Sequence, residues 1–192
     1  ALTRFAKVCK NVHVEVRAGR NYALEDEIRN SRLDLALAYC EPKAQARGER
    51  LLTLPMHWLA AMKRPPQEEA IPLVLYDHPC LFRQAALRAL EARGLSWRMA
   101  LTTPSLPGVW TALLAGHGIS VRTPHRIAPG VRDVGDEFGL PRLGSIEMRL
   151  FSADTLSFAA QELKSILIDV VCSDKPAASA ARRRTAAPGR AA

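Results

Sequence analysis

The stretch Arg50 to Met62, RLLTLPMHWLAAM, and the segments on either side of it constrain the fold most strongly. It reads as one long extended segment with Pro55 near its middle. Before it and after it, short Val-, Ile- and Leu-rich runs alternate with helical stripes. Strands alternating with helices imply an α/β fold with parallel sheets. Two such runs joined by an extended crossing predict two small lobes with a cleft between them. In open α/β sheets, ligands bind beyond the carboxyl ends of strands, where helix N-termini present free N–H groups.

Leu2, Phe5 and Ala6 share one face of a short helix over residues 1–9, which looks like the second half of a longer one. Val12 to Ala18 alternates, with Val12, Val14 and Val16 on one side and His13, Glu15 and Arg17 on the other. That period of two predicts a half-exposed strand. Asn21 is placed to cap a helix reaching about Asn30, with Glu25, Asp26 and Glu27 favouring its positive end. Leu33 to Tyr39 is apolar on both faces except for Asp34, which suits an interior strand of a parallel sheet.

Beyond the crossing, Pro72 to Asp77 reads as a short buried strand and Cys80 to Gly94 as a helix striped by Phe82, Ala86, Leu87 and Leu90. Trp97 to Thr103 is the next strand. Ser105 caps a helix with Pro107 in its first turn, and Gly116-His117-Gly118 ends it. Ile119 to Arg122 and Ser145 to Leu150 are strands. Leu156, Ala160, Leu163, Ile166, Leu167 and Val170 stripe a closing helix.

Three turns at the strand ends of the second run carry the polar chemistry. They are Asp77 to Phe82, Thr102 to Ser105, and Arg122 to Arg126. Together they offer hydroxyls, backbone N–H donors and cationic side chains, a set that suits a small anion. For any one of these residues, helix capping and turn stiffening explain the sequence as well as ligand contact does. For the cluster, binding is favoured, because the turns belong at one edge of one sheet.

Catalytic and metal chemistry find no such support. The sequence has no phosphate-binding GxxxxGK[ST], no His-Glu-x-x-His and no Gly-x-Ser-x-Gly. The five histidines are scattered, and no two stand three or four residues apart. The four cysteines, at 9, 40, 80 and 172, form no Cys-x-x-Cys pair, so reduced thiols packed as small apolar groups are expected. No catalytic residue, cofactor or metal ligand is assigned.

The net charge of +8 invites a nucleic-acid reading, but its distribution argues otherwise. Residues 173–192 hold five basic side chains against one acidic one, half of the excess. Residues 172–192 therefore read as a disordered, solvated basic tail. No apolar run approaches the ~18–20 residues needed to span a bilayer. The first residues include no hydrophobic leader and no Met, and the chain reads as a fragment.

At these residues the sequence resembles the effector-binding domain of LysR-type transcriptional regulators. Arg32-Leu33-Asp34-Leu35-Ala36-Leu37-Ala38 is similar to the family's G-x-L-D-x-A-I strand, with Arg32 after Ser31 where Gly is commoner. Leu113 to Val121 is similar to its V-A-A-G-x-G-I passage, followed by Arg122-Thr123-Pro124 where Leu-Pro is frequent. Leu54 to Ala61 and His78 to Arg83 resemble the branch of flagellar and virulence repressors. The resemblance runs from Leu2 to about Val170.

It implies a two-lobed, type 2 periplasmic-binding-protein-like fold, here with its first strand missing. One lobe would comprise residues 1–60 plus 145–171, the other 61–144. It further implies a cytoplasmic small-molecule effector bound by Cys80, Phe82, Thr102, Thr103, Ser105 and Thr123. A homodimer or tetramer is expected, with the helix after Leu81 and the shortened first helix as subunit contacts. DNA would be reached only through a helix-turn-helix domain absent from this chain, and no membrane partner is expected. The alternative on the same fold is an extracytoplasmic solute-binding protein of a transporter.

Overall fold

The computed structural model describes residues 1–19, 21–42, 47–61 and 69–173. In chain order its elements are α1 (Leu2–Val8), α2 (Asn21–Arg29), β1 (Leu35–Cys40), β2 (Glu49–Pro55), β3 (His57–Ala60), β4 (Ile71–Tyr76), α3 (Leu81–Glu91), β5 (Trp97–Thr103), α4 (Leu106–Leu114), β6 (Ser120–Arg122), β7 (Arg132–Asp133), β8 (Ser145–Ser152) and α5 (Phe158–Ser173). The basic tail expected at 172–192 lies outside the described residues, apart from Cys172 and Ser173, which close α5.

The first sheet has the order β1-β8-β2, and both pairings are antiparallel. Ala36 and Ala38 of β1 and Phe151 of β8 form a small core against Leu24 and Ile28 of α2. The second sheet grows from β4 and β5, which run parallel. Val74 N–H donates to Ile119 O and Ile119 N–H to Pro72 O, each at 2.9 Å, so β4 also lies alongside the entry to β6. With β3 between β6 and β7, the strands run β5-β4-β6-β3-β7.

β4 anchors this second sheet because it is apolar on both faces. Leu73 and Leu75 pack with Phe82, Ala86 and Leu90 of α3, while Val74 packs with Val109, Ala112 and Leu113 of α4. All three β4 side chains are at most 1% exposed, and burial of each contributes about 1.5–3 kcal/mol. Glycine is required next to it. A Cβ on Gly118 would stand 2.4 Å from Pro72 O, closer than any side chain can come. Gly116, at φ +77°, is the left-handed residue just past the end of α4.

The two sheets are joined by two crossings that run side by side. Pro55 ends β2, and Met56 N–H donates to Gly144 O at 3.1 Å just before β8 begins. Trp58 Nε1–H donates to Pro141 O at 2.7 Å, holding the return strand against the outgoing one. The proline-interrupted extended segment is therefore a crossing, as its sequence implied.

Four expectations are corrected. Val12 to Ala18 forms no strand, and Val12 and Val16 are 43% and 73% exposed. Alternation yields a strand only where a neighbour takes up the backbone bonds; no described strand lies beside this segment. The run ending at Tyr39 is likewise not interior to a parallel sheet. β1 starts at Leu35 and pairs antiparallel with β8, and no other described strand pairs with it. Parallel pairing throughout does not hold either, because among the described residues the parallel contacts are those of β4 with β5 and with the entry to β6. Finally, Asn21 is the first helical residue of α2 rather than its cap, and no acidic residue stands in the first turn. Glu27 and Asp26 instead pair with Arg17 and Arg29, at 3.0 and 2.8 Å.

The face of β8 that carries Phe151 also carries a buried ion pair. Arg149 meets Glu147 Oε2 through Nε at 2.8 Å and Nη2 at 2.7 Å, and its Nη1 donates to Gly48 O at 2.8 Å. Arg50 adds a further contact to Glu147 at 3.4 Å. Burial pushes the Glu147 carboxyl up, but Arg149 and Arg50 together outweigh it and hold the group below its ordinary value.

Candidate ligand cleft at the strand ends

The carboxyl ends of β4, β5 and β6 converge. Tyr76 closes β4, is the register partner of Thr103 in β5, and lies under Arg122 from β6. The Arg122 guanidinium stands 4.1 Å from the Tyr76 ring centroid and 4.8 Å from that of Phe82. Its faces thus meet aromatic rings, an arrangement that stabilises a partly dehydrated cation. One of its edge nitrogens is left unbonded. Among the described residues, Arg122 Nε is the buried side-chain nitrogen without a hydrogen-bond partner. Burial lowers the Arg122 pKa from its ordinary value, and Cys80, Tyr76 and Tyr39 pull it back. A guanidinium starts so high that it remains charged.

The first sheet reaches this point through Tyr39, near the end of β1. The Tyr39 and Phe82 rings meet edge to face, with centroids 5.3 Å apart. The Tyr39 hydroxyl lies 3.5 Å from Thr123 Oγ1. Thr123 is only 4% exposed and Phe82 5%. The two sheets therefore touch across a small polar and aromatic seam, with the Arg122 edge in it.

The turn residues singled out by sequence divide into two groups. Phe82 and Thr123 enter this seam, and half-buried Cys80, at the N-cap of α3, lies close enough to Arg122 to affect its charge. Thr103 and Ser105 serve α4 instead. Thr103 Oγ1 accepts from Ser105 N–H at 3.2 Å, and Ser105 Oγ accepts from Gly108 N–H at 3.4 Å. Thr103 remains next to Tyr76 by register; Thr102, one residue back, is exposed and points to the other face of β5. The structure thus does not bring all three turns together equally.

Sequence patterning missed Tyr39 and Tyr76 and passed over Arg122 in favour of Thr123. The available signal was a polar or aromatic group ending an apolar strand: Tyr39 after Leu35 to Ala38, Tyr76 after Leu73 to Leu75, Arg122 after Ile119 and Val121. Another omission is β7. Asp133, paired there with Leu59, bonds His57 Nδ1, and His57 is the register partner of Arg122. No group of three or more His, Cys, Asp or Glu side chains that could hold a metal ion occurs among the described residues. Chemically, the seam offers a fixed positive charge with an unbonded N–H, a hydroxyl pair, and ring faces for an apolar body.

Residues 1–135 match the family model described as LysR substrate binding domain. The HTH-type transcriptional regulator PecT of Dickeya dadantii (strain 3937) is 30% identical over 143 residues, which is 74% of this chain and 45% of PecT. The chain thus spans under half the length of that curated relative. Among solved structures, the apo-form regulatory domain of HypT from Salmonella typhimurium superimposes with a TM-score of 0.69 at 16% identity, covering 90% of this chain and 89% of that one. The regulatory domain of CcmR from Synechocystis PCC6803, solved in complex with 2-PG, gives 0.66 at 19% identity, with 88% of each chain covered. These likenesses give the fold as the two-lobed, type 2 periplasmic-binding-protein-like arrangement of LysR regulatory domains. The chain belongs to the LysR substrate-binding domain family.

Proposed function

We propose that this chain senses a small anionic effector between its lobes and passes the resulting change in lobe arrangement to an attached DNA-binding domain. Family membership supports the sensing role. The observation that carries the anion is Arg122, a charged group stacked over the Tyr76 and Phe82 rings with a buried Nε–H that no described residue bonds. An unbonded buried donor costs about 1–3 kcal/mol, which an acceptor atom of a ligand would offset. A carboxylate or phosphate also suits the fixed fork of a guanidinium. Thr123 and the Tyr39 hydroxyl would then bond the same ligand from the two sides of the seam.

The lobes we propose are residues 1–55 plus 145–171 and residues 57–144. The pairing of β3 with β6 and β7 supports a boundary at Met56 rather than at residue 60. Cys80, Phe82 and Thr123 are proposed as effector contacts. Thr103 and Ser105 shape the wall by fixing the start of α4, and Thr102 lies at its margin. We further propose a cytoplasmic homo-oligomer, with α1 and α3 at the subunit contact. Leu2 and Val8 of α1 are 52% and 57% exposed, in keeping with that role. The solute-binding alternative draws no support from the relatives, of which PecT is a transcriptional regulator. No described helix is long and apolar enough to cross a membrane.

The test is calorimetric titration with benzoate, citrate and inorganic phosphate at constant ionic strength, comparing the native chain with Arg122→Met. Binding of at least one anion, weakened about tenfold or more by the substitution, is expected. Equal binding by both proteins, or by neither, would contradict the proposal.

A further inference from the structure

A cleft of about 460 Å³ opens beside α3 where that helix meets the paired crossings. It shares no lining residue with the Tyr39–Arg122 seam. Leu81, Ala85 and Ala89 recur every four residues and form one stripe of α3, next to the buried stripe of Phe82, Ala86 and Leu90. Met56, Leu143 and Ile146 close the apolar wall from the crossings. The two alanines make the room. The volume falls within the roughly 300–1,000 Å³ typical of small-molecule sites.

The rim is cationic. Arg88 Nη1 donates to Glu41 Oε1 at 3.3 Å and Nη2 to Gln84 Oε1 at 3.1 Å. Arg142, on the opposite rim, is exposed and has no hydrogen-bond or ion-pair partner among the described residues. Two guanidinium groups therefore face one carboxylate. The Glu41–Arg88 pair also ties the first sheet to the second, because Glu41 directly follows β1 while Arg88 lies on α3. Their side chains are 39% and 68% exposed, so the pair is easily exchanged for another.

We propose that this cleft is a second ligand site, separate from the Arg122 seam, for a small amphipathic carboxylate. Its short apolar chain lies against Ala85, Ala89 and Leu143, and its head group bonds Arg142 and Arg88. In doing so it replaces Glu41 as the partner of Arg88 and releases one link between the lobes. A ligand here therefore favours a different lobe arrangement from the one that the Glu41–Arg88 pair holds.

The experiment titrates the full chain calorimetrically with octanoate, with octylamine at the same ionic strength as the charge control. One octanoate per chain is expected, with no octylamine binding. Arg142→Gln should weaken octanoate about tenfold. Ala85→Trp should fill the cleft and abolish binding, while Glu41→Gln, which removes the competing carboxylate, should tighten it severalfold. Arg122→Met should bind octanoate like the native chain, which separates this site from the seam. Should Ala85→Trp fail to fold, the two exposed substitutions carry the test. Absence of octanoate binding, equal binding by native and Arg142→Gln chains, or loss in Arg122→Met alone would overturn the proposal. So would a native oligomer that Ala85→Trp dissolves without any octanoate binding, since a second copy would then occupy the cleft.

Discussion

The Tyr39 hydroxyl of β1 and Thr123 Oγ1, just past the end of β6, approach to 3.5 Å, and the Tyr39 ring meets the Phe82 ring over which Arg122 is stacked. At that distance the pair is at the limit of a hydrogen bond, so its own contribution is small. Its value lies in bringing two hydroxyls from distant parts of the chain to one place. Thermal unfolding of Tyr39→Phe, Thr123→Val and the double variant should give a coupling below about 0.5 kcal/mol without ligand. With a saturating anion the coupling should grow, because both hydroxyls then bond the same molecule. Unchanged coupling would place the ligand elsewhere.

Arg122 should be dispensable for stability although central to binding. Burying a cation with an unbonded Nε is unfavourable, and a methionine of similar length keeps the contacts with Tyr76 and Phe82. Arg122→Met is therefore expected to leave the melting temperature unchanged or raise it. A fall equivalent to more than about 2 kcal/mol would mean that the guanidinium holds the fold together.

Gly118 marks the closest approach between β4 and the entry to β6. A methyl group there would stand 2.4 Å from Pro72 O, which is backbone and fixed by its bond from Ile119 N–H. Gly118→Ala should destabilise the chain by about 1–3 kcal/mol or more. Gly116→Ala removes a residue at φ +77° with open space around it, so only backbone strain is expected, about 1 kcal/mol. Denaturant unfolding of the two variants separates steric from conformational demand.

Glu147 makes stability depend on acid pH. Its carboxyl is held below the ordinary value, so it binds a proton less readily in the folded chain than in the unfolded one. The stability it contributes is thus complete above about pH 4.5 and declines as pH falls through the lowered native value. Melting temperatures followed from pH 7 downward should drop less steeply at acid pH for Glu147→Gln than for the native chain. Parallel curves would show that the Arg149 and Arg50 contacts do not act through charge.

The sequence made the fold class and most elements legible because apolar periodicity is a local property. β5 spans Trp97–Thr103 as read from the chain, the Ser105 cap and Pro107 are where they were expected, and the Phe82, Ala86 and Leu90 stripe is the buried face of α3. Pairing is not local. Val12 to Ala18 has the pattern of a strand without a neighbour to hydrogen-bond, and the parallel character assigned to the run ending at Tyr39 was a property of partners that periodicity cannot identify. The seam was half legible for the same reason. Turns at strand ends pointed to Phe82 and Thr123, whereas Tyr39 reaches Thr123 from 84 residues away in sequence. Thr103 and Ser105 have side chains equally able to bind a ligand or cap a helix, and the local hydrogen bonds favour the cap.

The most direct measurement is a crystal structure of the chain with whichever of benzoate, citrate or phosphate binds most tightly. Sensing at the seam requires density for the anion within hydrogen-bonding distance of Arg122, with Tyr39 and Thr123 closing on it from the two lobes. An anion bound elsewhere, with Arg122 Nε still unbonded and the lobes unmoved, would contradict it.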